Sequence, residues 1–410
     1  MESIKELFKI GYGPSSSHTM GPGYAAQIFK DKHKDISDIR VTLYGSLAAT
    51  GVGHGTDTVI KQILEGKNVE IVWKPKKSLP AHPNAMLFEA IQNSNVVDSW
   101  EVYSVGGGSL KDNIGTFDGG VKDIYPDVKM VDVMKWCESE GKTFWEYVVE
   151  HEGDDIWEYL AEVWKTMKQS IKNGLESEGV LPGTLKLARK ASSYYIRAKQ
   201  SSGTLRPMGM LFATALAVSE ENAGGGVVVT APTCGACGVV PAVFNFIQKD
   251  QDISETRILR GLATAGLIGN IVKTNGSISG AEVGCQGEIG TACAMAAGGA
   301  AQILGGSVKQ IEYAAEMGFE HNLGLTCDPV GGYVQIPCIE RNAFVSQKAR
   351  ECAIYALFTD GNHRVSFDEV VQTMMETGKD MQSKYRETSL GGLARICRPV
   401  IRKKKRNKNS

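Results

Sequence analysis

The feature that most constrains the fold of this 410-residue chain is a change of pattern near residue 131. Before it, short β-branched stretches alternate with segments of helical periodicity; beyond it, helical segments rich in Ala, Leu, Met and Gly follow one another. This order predicts an α+β protein. We expect a small N-terminal domain of α/β type over residues 1–128, then a mostly α-helical domain over residues 131–397.

The predicted elements follow from local periodicity. In the first domain the predicted strands are residues 39–44, 69–73 and 102–105, and the predicted helices are residues 22–31, 56–64 and 84–92. In the second domain the predicted helices are residues 144–172, 211–220, 255–272, 288–304 and 344–358. Residues 225–230 are predicted as a strand there.

Composition and charge exclude several classes of protein. The chain has no run of 18 or more apolar residues, and its charged N-terminus does not resemble a signal peptide, so we expect a cytoplasmic protein that does not span a membrane. The net charge is −1, but residues 398–410 hold seven Lys or Arg and no acidic residue. We interpret this segment as a disordered, solvated tail rather than a nucleic-acid site, since the rest of the chain is acidic.

Three of the nine cysteines share a setting rich in Gly and Pro: Cys285, Cys327 and Cys338. In the cytoplasm such residues are seldom disulfides. Turns would let three thiolates converge, and iron–sulfur clusters are held by cysteine thiolates. The pattern alone leaves both a cluster site and buried thiols open.

The other cysteines give a weaker signal. Cys234 and Cys237 form a Cys-x-x-Cys motif, but no second motif or His-x₃₋₅-His pair completes a zinc site. We interpret the pair as buried residues of a tight turn. Cys137, Cys293 and Cys352 lie in helical patterns and are expected to be core thiols.

The most distinctive local segment is Gly-Pro-Ser-Ser-Ser-His-Thr-Met-Gly-Pro at residues 13–22. Pro22 is suited to a helix start, with Thr19 or a nearby serine as cap, and free N–H groups and hydroxyls at such a start can bind a carboxylate. His18 would add a proton-transfer group. The alternative is a serine-rich cap with an exposed histidine.

His54 is flanked by small residues in Thr-Gly-Val-Gly-His-Gly-Thr-Asp, residues 50–57. This leaves room for a ligand, and imidazole titrates near working pH. We interpret it as a second histidine at a glycine-rich helix start, although a single histidine is more often structural.

The chain resembles the iron–sulfur L-serine dehydratases from about Ile10 to Cys397. Residues 13–22, Leu-Tyr-Gly-Ser-Leu-Ala (43–48), His-Pro-Asn (82–84) and Tyr-Ser-Val-Gly-Gly-Gly (103–108) are similar to the family's β domain. Residues 230–236, Ser-Ile-Ser-Gly-Ala-Glu-Val-Gly-Cys-Gln-Gly-Glu (277–288) and the run 322–342 are similar to its α domain.

The resemblance implies a [4Fe–4S] enzyme that converts L-serine to pyruvate and ammonia. It implies that Cys285, Cys327 and Cys338 hold the cluster, that the β domain is similar to an allosteric substrate-binding domain, and that the protein is a homodimer. In one form of the family a C-terminal cysteine caps the open iron, which makes Cys397 a candidate fourth ligand. Here 13 residues follow Cys397, the linker between the domains is short, and Cys234 replaces the Asn of many relatives.

The implied mechanism assigns roles to the Ser/His segment. We expect His54 to take the α-proton of serine, with His18 as second candidate base. The substrate-binding candidates that would hold the carboxylate are Ser15, Ser16, Ser17, His18 and Thr19.

Three alternatives stay open at this point. The first is a different substrate, L-threonine or a related hydroxy amino acid, because one methyl group changes binding by only about 1–3 kcal/mol. The second is a serine sensor without catalysis. The third is a pyridoxal-phosphate dehydratase, which would need a Schiff-base lysine, for which Lys273 is the nearest candidate.

Overall fold

The computed structural model describes residues 1–112 and 122–397. The predicted basic tail, residues 398–410, lies outside the described residues. Within the described part of the chain, no helix combines the length and the hydrophobicity needed to cross a membrane.

The N-terminal part is built on a five-stranded sheet. Its strands are β2 (Asp38–Tyr44), β3 (Asn68–Lys74), β4 (Ala85–Gln92), β5 (Asn95–Gly106) and β6 (Ser109–Asp112), after a short β1 (Ile10–Tyr12) that lies outside the sheet. The strand order is β3-β2-β4-β5-β6; β2 and β3 are parallel and the other neighbours antiparallel. The helices are α1 (Gly21–Lys32), α2 (Gly45–His54) and α3 (Thr56–Ile63).

The sheet has its own apolar core. Phe29 of α1 packs with Ile60 of α3 and with Val41 and Phe88 of the sheet, all fully buried. Apolar residues recur at helical spacing in α1 and α3 and at alternate positions in β2. Each element can therefore bury one apolar face in the shared core.

The second part is helical. Its helices are α4 (Met130–Glu140), α5 (Phe144–Glu152), α6 (Ile156–Glu176), α7 (Ala191–Gln200), α8 (Leu205–Ala223), α9 (Val239–Asp250), α10 (Glu255–Asn275), α11 (Gly280–Val283), α12 (Thr291–Ile303), α13 (Val308–Glu320), α14 (Cys338–Leu357), α15 (Phe367–Asp380) and α16 (Gly392–Ile396), with one strand, β7 (Val227–Val229). The buried helix α12 packs against α10, α13 and α14. The α+β prediction is confirmed.

The two parts are joined by more than one connection. Strand β1 pairs antiparallel with β7, and the apolar residues Met1, Ile4, Leu7 and Phe8 pack in the core of the helical part. The chain therefore crosses between the two cores near its start and again after β6. The boundaries 1–128 and 131–397 stay predictions.

Two predicted helices are wrong in detail. The predicted helix 84–92 is instead strand β4 (Ala85–Gln92), which pairs with β2 and β5 on its two sides. The helix preference of its Ala, Met, Leu and Glu residues is weaker than the pairing with two neighbouring strands. The predicted helix 144–172 is divided into α5 and α6 at Gly153, where the backbone has φ 79°.

Candidate active site

A cavity of about 20 Å³ lies where the sheet part meets the helical part. Ser15 and His54 line it from the sheet part. From the helical part the lining residues are Gly235, Cys285, Glu288, Ile289, Cys327, Pro329, Val334, Cys338 and Glu387. The three predicted cluster cysteines and the first candidate base therefore face one space.

The three cysteines of the helical side, Cys285, Cys327 and Cys338, form what we call the thiol wall. Cys285 directly precedes a π-helical turn, Gln286–Gly290, and Cys327 lies in the loop between α13 and α14. Cys338 is the first residue of α14 rather than a loop residue. The cysteines thus reach the cavity from three separate chain segments.

The thiol wall is electrostatically coupled. Cys285 and Cys327 are hydrogen-bonded, so the pair releases one proton readily and the second reluctantly. This bond, followed by the charge and hydrogen bond of Arg341, lowers the pKa of Cys285 to about 6. The same bond and burial raise the pKa of Cys327, and burial raises that of Cys338.

Glu288 supports the thiol wall from behind. Its Oε1 accepts a hydrogen bond of 3.0 Å from Thr233, and its Oε2 is 3.8 Å from the Cys327 sulfur. Burial, followed by the charge of Cys285, raises the pKa of Glu288 to about 8. Gly280 makes this packing possible, because a Cβ there would lie 2.5 Å from Glu288 Oε2 and 3.1 Å from the Cys327 sulfur.

On the sheet side, Ser15, His18 and His54 form what we call the histidine wall. Ser15 caps the π-helical turn Ser16–Met20, which continues into α1, by accepting a hydrogen bond from the His18 N–H. The predicted cap at the start of the Pro22 helix is therefore wrong in place: α1 has no side-chain cap, and the serine cap begins the π turn that precedes it. The His18 and His54 ring centroids are 4.5 Å apart, with the two rings tilted by 39°.

Hydrogen bonds fix the tautomer of His18. The Ser46 hydroxyl donates to the Glu387 carbonyl at 2.7 Å, so at 3.2 Å it must accept from His18 Nε2–H. His18 Nδ1 is then the unprotonated nitrogen and accepts from the Ser17 hydroxyl at 2.9 Å. Burial, followed by the nearby His54, lowers the pKa of His18 well below its usual value, so the ring is neutral.

His54 has the opposite tautomer. It is the last residue of α2, which the left-handed residue Gly55 ends, and α3 begins at Thr56, so the predicted helix start follows His54 by two residues. Its Nδ1 lies 3.1 Å from the Thr50 carbonyl and must carry the proton, which leaves the Nε2 lone pair free. Burial lowers the pKa of His54 to about 4. A neutral imidazole with a free Nε2 has the protonation state of a base at neutral pH.

Two threonines link the histidines through the backbone. The Thr19 hydroxyl donates to the His54 carbonyl at 2.8 Å, and the Thr56 hydroxyl donates to the His18 carbonyl at 2.6 Å. Of the predicted substrate-binding residues, Ser15 lines the cavity, whereas Ser16, Ser17, His18 and Thr19 follow it in the chain and are not among the lining residues. The geometry brings them together as a support for the histidines.

Glu387 joins the two walls, and sequence reasoning missed it. It lies on the segment 385–393, which pairs with the Cys327 loop: the Glu387 N–H donates to the Cys327 carbonyl at 2.7 Å, and the Cys327 N–H to the Tyr385 carbonyl at 2.8 Å. Its Oε1 is 3.5 Å from His18 Nδ1 and 4.0 Å from His54 Nε2. In the sequence it is one acidic residue of a polar run, and only its burial marks it.

Cys397 does not reach the cavity. It follows α16 and is exposed, although α16 itself is held near the site by a hydrogen bond from the Leu393 N–H to Asp328. Its assignment as a fourth ligand stays a prediction.

The thiol wall fits a cluster by its donor set. Among residues 1–112 and 122–397, no group of three or more His, Cys, Asp or Glu side chains is placed to ligate a single metal ion. A cluster does not require that placement, because each thiolate binds a different iron. A cavity of about 20 Å³ has room for about one water molecule, so the lining side chains must separate to admit a cluster or an amino acid.

Comparison with known proteins identifies the family. The serine dehydratase alpha chain family matches residues 76–394, and the serine dehydratase beta chain family matches residues 3–72. L-serine dehydratase from Haemophilus influenzae is 43% identical to this chain over 96% of it and 99% of the relative. The chain belongs to the serine dehydratase family. L-serine dehydratase 2 of Escherichia coli and L-serine dehydratase of Streptomyces coelicolor are each 42% identical over 96% of this chain and 98% of the relative.

The comparisons add two facts about this serine dehydratase family member. The division between the beta and alpha matches, at residues 72 and 76, lies inside the five-stranded sheet between β3 and β4. The alignments run over 447 to 450 positions, more than the 410 residues of this chain, so the relatives carry insertions relative to it.

The competing candidate residues lie elsewhere. Lys273 lines a separate cavity of about 810 Å³ between the two parts and forms an ion pair of 2.7 Å with Glu2. Cys234 and Cys237 are buried beside the turn Cys234–Ala236, as predicted, and burial raises the pKa of both thiols.

Proposed function

We propose that this chain dehydrates L-serine to pyruvate and ammonia with a [4Fe–4S] cluster held by Cys285, Cys327 and Cys338. The observation that carries this proposal is the convergence of these three thiols with His54 on one buried cavity, in a chain that belongs to the serine dehydratase family. When bound, a cluster with three protein thiolates supplies an iron that acts as a Lewis acid toward the substrate hydroxyl.

The residues of the chain divide the remaining work. His54 Nε2 takes the α-proton of serine, because it is unprotonated and opens onto the cavity. The His18 ring lies against the His54 ring, and the Thr19 and Thr56 hydrogen bonds hold the two backbones in position. Loss of the hydroxyl gives an enamine, which tautomerises to an imine and hydrolyses to pyruvate and ammonia.

The carboxylate of serine is assigned to the start of the turn Ser16–Met20. This turn continues directly into α1, and together they form one continuous helical segment. The first N–H groups of the turn therefore lie at the positive end of that segment's dipole. The hydroxyl of Ser17 already donates a hydrogen bond to His18 Nδ1. The donors to the substrate carboxylate are therefore the backbone N–H groups and the Ser15 hydroxyl.

The oligomeric state is a separate proposal. We infer a cytoplasmic homodimer, for which α14 offers an apolar face: Phe344, Tyr355 and Phe358 are 68, 58 and 88% exposed. Phe344 and Tyr355 are three helical turns apart and so share one side of α14. Sedimentation velocity is expected to give a dimer for the full chain and a monomer for Phe344→Glu.

The test of the function is a pyruvate assay on anaerobically purified protein after reconstitution with iron and sulfide. We expect a brown protein that releases pyruvate from L-serine and loses activity in air. L-threonine is assayed in parallel and distinguishes substrate preference by kcat/KM. Pyruvate from a colourless, iron-free protein would contradict the cluster, and a loaded cluster without pyruvate would contradict the substrate.

A further inference from the structure

We propose that the carboxylate of Glu387 binds the α-ammonium group of the substrate amino acid. This inference rests on the proposed function, since it assumes that the cavity accepts an amino acid. It assigns to Glu387 the recognition of the ammonium group of serine, whereas the thiol wall is assigned to the cluster and the turn Ser16–Met20 to the substrate carboxylate.

The first observation is an unused hydrogen-bond acceptor. Glu387 is only 6% exposed and lines the cavity, and its Oε2 is buried without any hydrogen-bond partner in the described structure. The other carboxyl on this cavity, Glu288, is partly buried and accepts a hydrogen bond from Thr233. A buried carboxylate oxygen without a donor is costly, and such groups in native structures usually mark a function or a missing ligand.

The second observation is that the groups around Glu387 are acceptors as well. Glu387 Oε1 faces His18 Nδ1 and His54 Nε2 at 3.5 and 4.0 Å, and the hydrogen bonds of both rings leave these two nitrogens unprotonated. The Ser17 hydroxyl is spent on His18 and the Ser46 hydroxyl on the Glu387 carbonyl. At this corner of the cavity, none of these four groups therefore offers a hydrogen-bond donor to the Glu387 carboxylate.

An ammonium group supplies what the corner lacks. It carries three N–H donors and a positive charge, so it satisfies the Glu387 oxygen and compensates its charge at once. In an α-amino acid the ammonium nitrogen and the α-carbon are one bond apart. An ammonium held at Glu387 therefore keeps the α-proton near His54, the base that takes it.

The backbone of Glu387 is held by both walls, which suits a recognition role. Its N–H is bonded to Cys327 and its carbonyl to Ser46, on opposite sides of the cavity. Because the backbone is already held, only the Glu387 side chain has to be ordered when it binds a ligand. Glu387 therefore binds substrate and is not assigned any proton transfer.

The test compares two inhibitors in two variants. L-alanine has the ammonium and carboxylate groups of serine, whereas 3-hydroxypropanoate has the carboxylate and hydroxyl but no ammonium. In Glu387→Gln we expect the KM for L-serine and the Ki of L-alanine to rise at least about tenfold, the loss of one charge-assisted hydrogen bond. The Ki of 3-hydroxypropanoate should stay within about twofold.

The matched control is Glu316→Gln. Glu316 is also a buried glutamate with an unpartnered Oε1, but it lies on α13 and does not line the cavity. Its KM and both Ki values should match those of the unmodified protein. Glu387→Asp shortens the side chain by one methylene and provides a second variant if Glu387→Gln fails to fold; relative to the unmodified protein, the Ki of L-alanine should then rise more than the Ki of 3-hydroxypropanoate.

Two results would overturn the inference. Unchanged Ki for L-alanine in Glu387→Gln would remove Glu387 from ammonium recognition, and equal weakening of both inhibitors would show general damage to the site. Calorimetric titration of L-alanine into each protein gives the same comparison without turnover. A protein that binds L-alanine through Glu387 yet releases no pyruvate from L-serine would therefore refute the proposed function and leave this inference standing.

Discussion

The two walls of the cavity solve the problem of buried polar groups in different ways. The histidine wall is satisfied internally: His18 is bonded to Ser17 and Ser46, and His54 to the Thr50 carbonyl. The thiol wall is not satisfied internally, because three ionisable groups, Cys285, Cys327 and Glu288, lie close together. Their interaction lowers the pKa of Cys285 and raises the pKa values of Cys327 and Glu288. The histidine wall carries no charge as folded, whereas the thiol wall needs a positive partner once all three of its thiols are deprotonated.

This difference teaches which wall depends on a cofactor. Buried negative groups are stable only when paired or bound to a metal. Arg341 supplies one positive charge to Cys285, which is less than three thiolates require. We therefore expect removal of the cofactor to disturb the thiol wall and to leave the histidine wall in place.

The largest effect is expected from Cys285→Ala, which breaks the thiol wall. Without this thiolate the set of three ligands is incomplete, so the reconstituted protein should lack the brown absorbance and release no pyruvate from L-serine. Absorption spectra, iron content and the pyruvate assay measure both losses. The control is Cys352→Ala, a buried thiol of α14 that does not line the cavity, which should keep cluster and activity. A loaded cluster in Cys285→Ala would contradict the assignment.

Next in size is His54→Ala, which breaks the histidine wall alone. The loss of a general base should lower kcat by about 10²–10⁴-fold, while iron content and absorbance stay unchanged. Burial lowers the pKa of His54 to about 4, so this base stays unprotonated between about pH 8 and 6. Protonation of His54 should therefore cause no fall in kcat/KM of the unmodified enzyme over that range. Normal turnover in His54→Ala would exclude it from the mechanism.

The same comparison explains what the sequence can reveal. Cys285 and His54 carry chemically rare side chains in glycine-rich settings, so local sequence patterns are enough to single them out. Glu387 is different, because its role depends on a long-range pairing with the Cys327 loop that no local pattern encodes. Strand β4 is mispredicted for a similar reason: its two partner strands decide its conformation, and β2 lies some 40 residues away in the chain.

A smaller effect is expected from Gly53→Ala, which separates the two walls. A Cβ at Gly53 would lie 2.5 Å from the Gly332 carbonyl oxygen, at the contact of α2 with the turn after Pro329. We expect a loss of about 1–3 kcal/mol in the free energy of unfolding, measured by urea denaturation, and a raised KM for L-serine. Val52→Ala changes the neighbouring residue, which is 71% exposed, and should leave both unchanged.

The smallest expected effect is on the pH dependence of the free energy of unfolding, and it tests whether burial alone keeps His54 in the histidine wall neutral. The pKa of His54 is about 4 when folded and about 6.5 when unfolded, so the unfolded chain binds the proton more tightly. The stability gained from neutral His54 is thus fully present above about pH 6.5 and is lost as the pH falls toward 4. Between about pH 7.5 and 5.5 this contribution falls by about 1 kcal/mol.

This loss should be absent from His54→Asn, whose amide can still donate to the Thr50 carbonyl but does not titrate. Urea denaturation of the cluster-free protein at both pH values measures the difference between the two proteins. His321→Asn, which removes an exposed histidine, should show the same pH dependence as the unmodified chain. If His54→Asn loses as much stability on acidification as the unmodified chain, His54 is not held neutral by burial, and the histidine wall also needs a partner from outside the chain.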